Sequence, residues 1–485
     1  MSASRNGIGV ALALLAGAVL SGCVSPNTAV DRARNDLRSE NYLAAQKWAD
    51  DKKTTTFSKE LGSLEAGRVH QLAGEFEDSV ADFDRAIETV MAKTETGPVI
   101  HVEDIAWNVG SALVDERIRK YRIPPYEFIQ ALNYQMWNYI FLGQPESARV
   151  EARRAVFAQD AMAEKYGSKV EEGNSQVSEG KYSGSMRIVE SRMTAMEPVL
   201  EKTRSSYENG LAWYFSGILF ELDGDASNAR LAYQKAWELA PGNPYVERDM
   251  LRLTRSEYPE QFDSLMARSR LPVESLARSP TEIVLVMEEN FIAQRYSVKV
   301  PLPLGTITSV DFPMYFASFY QPSPLQLSAG EQALGQLMPT LFLQSLAYQD
   351  LKEKMPGVVV RNVVRAGTRI AAQQVANQMD GYVAMGVCLF NLIMTAVNEA
   401  DTRAWYTLPM VAQVYRGNVE PGVHHLTLAN QANGRTVTFP VSVAEGETRF
   451  IWVGDLAGRS RVVTASMNGK GDATTYTGIE SLLVQ

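Results

Sequence analysis

Few side chains in this 485-residue sequence are spaced to do chemistry together. The histidines are His70, His101, His424 and His425. His424 and His425 are adjacent, so on a strand they face opposite sides and cannot share one metal ion. Two cysteines, Cys23 and Cys388, are too few for a cysteine-rich zinc site, and the H-E-x-x-H spacing does not occur. No nucleophile elbow, phosphate-cradling loop or dinucleotide fingerprint stands between a strand and a helix. Paired carboxylates for glycan hydrolysis are a matter of distance rather than spacing, and none is assigned. The sequence therefore names no catalytic residue, no metal and no cofactor. Its charged clusters read otherwise. Arg361, Arg365 and Arg369 lie four apart, which stacks three guanidinium groups along one helix face. Beside them runs the charge-free stretch 381–397. Together they make a candidate stripe for anionic headgroups with an apolar neighbour, at the lower end of membrane-spanning length. Gly381, Gly386 and Asn391 lower that hydrophobicity, so a buried core helix, with Cys388 as a small hydrophobe, is the expected reading. Glu151, Arg153 and Arg154 are at helical spacing, which favours salt bridges within a helix over an anion site.

Cys23 raises a different question. Arg5 precedes an apolar run over residues 8–20, of signal-peptide length and too short to span a bilayer. The run ends in Leu20-Ser21-Gly22-Cys23, which resembles the lipobox of bacterial lipoproteins. That resemblance implies a diacylglyceryl group on the Cys23 thiol, removal of residues 1–22, and acylation of the new amine, palmitate being the expected chain type. Two or three acyl chains, at about 0.8 kcal/mol per buried CH₂, hold a protein stably at a membrane. Val24 after the cysteine implies the outer membrane, with the chain facing the periplasm, and residues 23–30 read as a tether. Only Cys388 would then remain, so no intramolecular disulfide is expected. A net charge of −9 gives no electrostatic ground for nucleic acid binding.

The elements that follow divide by period. Residues 31–278 read as helical, with a recurring unit that is clearest at 213–244. There Trp213, Gly217 and Phe220 share one helix, Gly224-Asp225 make a turn, Ala229, Tyr233 and Ala236 share a second helix, and Pro241 ends it. The unit resembles the tetratricopeptide repeat (TPR). Earlier copies carry Gly67, Gly74, Phe76, Phe83 and Ala86, with Ser79 for the usual alanine, and Tyr139, Gly143, Ala148 and Ala155, with Ala152 for the usual aromatic. A half-unit at 41–50 opens the array. Stacked units of this kind leave a concave groove, expected here to hold a partner's peptide or helix. The polar middle of the stretch 163–210 reads as a solvated loop, or alternatively as a mobile lid or partner-binding arm.

Tyr121, Pro124-Pro125-Tyr126-Glu127, Asn133-Tyr134, Gly143 through Arg154, and ADTRAWYTLP at 400–409 together resemble a family of TPR-containing bacterial outer-membrane lipoproteins. The resemblance implies address and architecture rather than an activity. Glu127 suits the start of a helix.

Residues 279–404 read as a mixed strand and helix region. TEIVLVM and YSVKVPLPL alternate as strands, and a helical block is expected from about Ala329 to Asn398. From 405 to 485 the pattern is four strands joined by turns such as Asn433-Gly434, which suggests a small antiparallel β-sandwich ending in a loose tail. The expected architecture is thus multidomain: an all-α TPR-like domain, a mixed α/β region, and a C-terminal sandwich. The expected role is a lipid-anchored periplasmic scaffold whose groove binds a protein partner in cell-envelope assembly. The alternative is direct peptidoglycan or lipid-headgroup binding by the C-terminal region.

Overall fold

Three glycines set the helical half. Gly74, Gly143 and Gly224 all have left-handed φ values, of 85°, 65° and 80°. Each joins two antiparallel helices at a point where a side chain would be strained. The computed structural model describes residues 26–54, 58–94, 97–100, 120–178, 182–304, 307–316, 320–376, 400–467 and 471–483. Cys23, His101, the run 381–397 and Cys388 lie outside the described residues.

The chain opens with α1 (Pro26–Arg38), so residues 26–30 of the expected tether are helical and Val30 is buried, and α2 (Tyr42–Lys53). The first TPR-like hairpin is α3 (Lys59–Ala73) with α4 (Phe76–Ile87), followed by the short strands β1 (Met91–Thr94) and β2 (Gly97–Ile100). The second is α5 (Pro125–Phe141) with α6 (Pro145–Ser178). Helices α7 (Ser183–Met193) and α8 (Glu197–Leu200) intervene before the third hairpin, α9 (Gly210–Leu222) with α10 (Ala226–Leu239). Helices α11 (Pro244–Glu257) and α12 (Pro259–Met266) close the array. Asn209, Asp225 and Asn243 cap α9, α10 and α11 through their side chains.

The seam of each hairpin is a size match. A Cβ on Gly217 would lie 2.5 Å from the Tyr233 ring, and one on Gly67 would lie 2.7 Å from the Phe83 ring. The middle hairpin reverses the sizes: the equivalent positions are Met136 and Ala152, both fully buried. Ala152, which departs from the repeat pattern, is thus the small half of a large–small pair.

Two expectations need correction here. The polar stretch expected as a loop is helical on either side of residues 179–182, since α6 runs unbroken to Ser178 and α7 starts at Ser183. Its lysines, glutamates and glutamines are good helix formers, and the internal Gly167 and Gly173 cost only about 1 kcal/mol each. The helical block expected from Ala329 begins instead at α13 (Leu343–Ala376). Before it, Gly330, with φ of 54°, turns the chain between two strands.

The β-rich region follows from β3 (Glu282–Glu289). Strands β4 (Arg295–Pro303) and β5 (Ile307–Tyr315) form an antiparallel ribbon. Then come β6 (Leu325–Ala329), β7 (Gln332–Gln336) and β8 (Met338–Leu341), and after α13 the strands β9 (Val411–Asn418), β10 (Gly422–Asn430), β11 (Thr436–Val443), β12 (Thr448–Asp455), β13 (Arg459–Ser466) and β14 (Thr474–Glu480). One sheet has the order β11-β10-β6-β7 and another β14-β13-β12-β3-β9-β8.

The larger sheet is mixed, because β12 and β3 run parallel. The expected purely antiparallel unit confined to 405–485 therefore does not form. Strand β3, from before that boundary, is paired on both sides, and all eight of its residues are buried. The expected loose tail includes β14, paired to β13.

Strand alternation splits the larger sheet's two faces. Ile283, Leu285, Met287, Ile451 and Val453 share an apolar cluster with Leu325, Leu426, Leu428, Phe439 and Val441 of the smaller sheet. Val284, Val286, Phe450 and Trp452 instead join the cluster built by the helices. The larger sheet is thus covered on one face by the smaller sheet and on the other by the hairpins.

Candidate functional site

The first helix of each hairpin turns its side chains onto that sheet. Trp137 of α5 stacks on Phe215 of α9 at 4.4 Å, and Phe450 of β12 meets both edge-on at 6.1 and 5.7 Å. Arg68 of α3 pairs with Glu288 of β3, its guanidinium 4.4 Å from the Tyr134 ring and 5.2 Å from that of Trp452. Helices α3, α5 and α9 are accordingly buried along nearly their whole length, while α4, α6 and α10 keep exposed positions. The face expected as a groove for a partner is filled by the protein's own sheet. The sequence shows that these helices are apolar, but not what covers them.

Charge locks the same junction at a second point. Arg416 of β9 is fully buried. It donates to Asp249 at 2.9 Å, to Glu282 at 2.8 and 3.0 Å, to Glu221 at 3.2 Å and to the Tyr233 hydroxyl at 2.7 Å. Burial alone would raise the Glu221 carboxyl, but Arg416 and Arg252 hold it down to about 2. Asp249 is likewise held well below the usual carboxylate range against its burial, by Arg248, Arg416 and Arg252.

A third lock joins the two segments that carry the family resemblance. Residues 400–410 lead into β9, and their backbone is held by two buried glutamates. Glu65 of α3 accepts from Tyr406 N at 2.9 Å, Thr407 N at 3.2 Å and Thr407 Oγ1 at 2.6 Å. Glu127 of α5 accepts from Trp405 N at 2.9 Å, the Tyr121 hydroxyl at 2.7 Å and the Tyr126 hydroxyl at 2.9 Å. From α1, Arg34 donates to the Tyr406 carbonyl at 3.0 and 2.7 Å. Burial pushes the Glu127 carboxyl up to about 7, against the lowering effect of the Trp405 N–H, the Tyr121 hydroxyl and Arg295. Glu127 does sit in the first turn of its helix, as expected, but its carboxylate grips a strand-side loop.

The remaining expected residues fall as follows. Glu151 and Arg154 pair within α6 at 2.8 Å, and Arg153 reaches Asp223 at 4.0 Å. His424 and His425 lie on β10, and His424 Nε2 contacts the Glu420 carbonyl at 2.7 Å. Among the described residues no group of three or more His, Cys, Asp or Glu side chains converges as a metal site. No helix among them is long and apolar enough to cross a membrane. The arginine stripe is not a solvent-facing row. Arg361 is half-buried, and Arg365 is 7% exposed with Nη1 3.5 Å from Asn362 Oδ1. The side chain of Arg369 lies outside the described residues. This face of α13 packs toward β5, where Asn362 donates to the Asp311 carbonyl at 3.0 Å.

A large recess among the described residues lies in a region the sequence presented only as polar. A cavity of about 1400 Å³ lies between α6, α7, α8, residues 203–207 and α13. Its buried walls include Tyr166, Met193, Leu200, Met355 and Pro356, with Met186 and Tyr207 partly exposed. Pro356 sits inside α13 and has no N–H, so the carbonyl of Lys352 lacks its helical partner, and both residues line the cavity. Glu353 accepts from Ser206 Oγ and from Gln349 Nε2 at 2.8 Å, and burial raises its carboxyl. At the rim, Arg187, Glu190, Glu197, Arg204 and Lys352 are exposed and have no ion-pair partner among the described residues.

No protein-family model matches the chain, and no curated protein matches it. Two solved structures resemble part of it. The C-terminal part of a TPR repeat-containing protein from Cytophaga hutchinsonii is 12% identical, covers 49% of this chain and 74% of its own, and has a TM-score of 0.19. An assembly chaperone of RpL4 is 15% identical, covers 52% of this chain and 93% of its own, and has a TM-score of 0.18. The TPR-like assignment rests on the hairpins themselves, through their turn glycines and matched seams.

Proposed function

We propose that this chain is a membrane-anchored periplasmic scaffold: an outer-membrane lipoprotein, acylated at Cys23, that binds a protein partner in cell-envelope assembly. Peptidoglycan synthesis and surface-structure export are the settings proposed. The observation that carries the reading is the cavity beside α7. The inner face of the hairpins is spent on the protein's own sheet, so a recess such as this one, with exposed charged residues at its rim and Met186 and Tyr207 partly exposed in its wall, offers a partner a surface among the described residues. A photo-crosslinking residue at Met186, in cells, is expected to give one discrete protein adduct, and the same residue at Gln332 on β7 none. Identical smears from both positions would overturn the reading. The anchor has its own test. Native protein is expected in the outer-membrane fraction and a Cys23→Ser variant in the soluble fraction; equal partitioning removes the anchor.

A second reading, glycan binding, is favoured by the outer face of the smaller sheet. Thr427 and Thr438 are hydrogen-bonded at 2.8 Å across β10 and β11, and Ser328 of β6 is register-paired with Thr427. Gln326, Thr436 and Ser442 extend this hydroxyl- and amide-bearing patch. Co-sedimentation with purified sacculi, lost on Thr427→Lys, is the expected result under this reading. Burial of Arg365 counts against the headgroup-binding version.

A further inference from the structure

We infer that the end of the molecule carrying Tyr296 and Phe316 rests on the lipid bilayer, with this aromatic pair seated at the membrane interface. The inference rests on the anchored-scaffold reading and adds to it the face that the protein turns to its membrane. The first ground is how α1 is held. Arg34 donates to the carbonyl of Ile292, after β3, at 2.5 Å, and to that of Tyr406, ahead of β9, at 2.7 and 3.0 Å. Arg38 Nε donates to the carbonyl of Leu456, just beyond β12, at 2.9 Å. The Glu40 carboxylate accepts from Gly478 N on β14 at 3.0 and 3.1 Å. The larger sheet has the order β14-β13-β12-β3-β9-β8, so α1 and the turn after it run across the strand ends from β9 to β14. The lengths agree. The 13 residues of α1 span about 19.5 Å, and the strand spacings from β9 to β14 sum to about 19 Å. Helix α1 is thus a strap fixed to the sheet and not slack in the tether.

A strap held in this way leaves little chain ahead of it. Cys23 precedes Pro26 by three peptide units, a reach of about 11 Å at most. An acylated Cys23 therefore keeps the start of α1 close to the lipid. The ribbon of β4 and β5 stands beside that start: Gln294 Nε2 donates to Asp31 Oδ1 at 2.5 Å, and Tyr296 follows two residues on. Arg295 and Tyr315 are register partners and are buried, so the next residue along each chain, Tyr296 and Phe316, turns to the opposite face. Their rings meet at 4.8 Å and the residues are 37% and 63% exposed. Among the described residues no other ring-to-ring contact joins two exposed side chains. Ala400, three residues past the charge-free run 381–397, donates its N–H to Ser297 Oγ at 3.1 Å, beside Tyr296. Charge does not point to a protein occupant. The exposed Lys299 is register-paired with Asp311 across the ribbon, and Arg403 pairs with Asp401 at 2.6 Å. Exposed rings beside an acyl anchor instead match the interface zone of a bilayer, where the ring faces are buried and the tyrosine hydroxyl stays wet. An acyl anchor with a second contact holds a protein more firmly than either alone.

The test uses the full native chain in vesicles of phosphatidylethanolamine with a minor share of phosphatidylglycerol. The vesicles are doped with a phospholipid that carries a photoactivatable diazirine in its acyl chain. After illumination, peptide mass spectrometry is expected to find lipid adducts on Tyr296 or Phe316 at about five times the level on β7 or more, whatever the phosphatidylglycerol share. Leu43 and Val423, exposed apolar residues elsewhere, should stay at the β7 level. Tyr296→Ser with Phe316→Ser should cut labelling of the ribbon about fivefold, with an unchanged thermal midpoint and with flotation still carried by the anchor. Adducts confined to the acylated N-terminal peptide overturn the inference and leave the anchor standing. So do adducts on residues 381–397 with none on the ribbon, and labelling spread evenly over the exposed apolar positions. A native chain that bears no acyl group and does not float with the vesicles removes the anchor reading, and the inference falls with it.

Discussion

Glu127 is a carboxyl placed where a negative charge is poorly supported. It is fully buried, and the donors it meets are the Trp405 amide and two tyrosine hydroxyls, all neutral. With its folded value at about 7 and its ordinary value at 4.5, the folded chain binds a proton at this site through a window in which the unfolded chain has released it. Stability from this group is therefore complete below pH 4.5 and is lost as pH rises toward 7, by about 3 kcal/mol for a shift of this size. Glutamine keeps the acceptor for Trp405 and never ionises. Denaturant unfolding of the wild type and of Glu127→Gln, measured from pH 4.5 to 8, should show the variant gaining on the wild type by about 3 kcal/mol across that range. Parallel pH profiles would show that the carboxyl does not titrate in this window.

At the scale of the element, a single methyl group should separate the seam glycines from an open one. Gly217→Ala and Gly67→Ala each drive a Cβ into an aromatic ring and should cost about 1–3 kcal/mol. Gly184, in α7, has nothing within 4 Å of a built Cβ, so Gly184→Ala should be neutral or stabilising by up to about 1 kcal/mol. Urea midpoints of the three variants check this; equal losses would sink the seam argument. These positions were legible because a turn glycine and its helix-facing aromatics are local and periodic. So was β11, whose exposed and buried residues alternate without interruption. What was not legible is non-local. Nothing near β3 announces that β9 and β12 will flank it, and Glu65 and Glu127 give no sign of the loop they hold. The arginine spacing on α13 correctly placed the residues on one helix, but spacing does not say which face is packed. The polar run into α7 misled because polarity without apolar period looks the same in a loop and in a helix exposed around most of its surface.

At the scale of the molecule, the helical array and the larger sheet form one body because buried charge ties them as firmly as apolar packing. Arg416 serves acids from α9, α11 and β3 at once. Replacing it with methionine removes the one arginine that all three buried carboxylates share, leaving each with Arg248, Arg252 or Arg278, and breaking a buried pair typically costs about 3–5 kcal/mol, against a total stability of about 5–15. Acid reaches the same network from the other direction. Glu221 at about 2, and Asp249 and Glu282 held below their ordinary values, contribute stability that is present above pH 4.5 and lost as pH falls toward 2. This loss lies on the acid side of the Glu127 window. Because the carboxylates belong to helices and strand alike, their protonation should release both halves in one step. In an acid titration, far-UV ellipticity, dominated by the helices, and tryptophan fluorescence, which includes Trp405 and Trp452 at the junction, should change with a common midpoint. Helical signal that outlasts the fluorescence change by a pH unit or more would mean that the array stands without the sheet, and that Arg416 is not the tie between them.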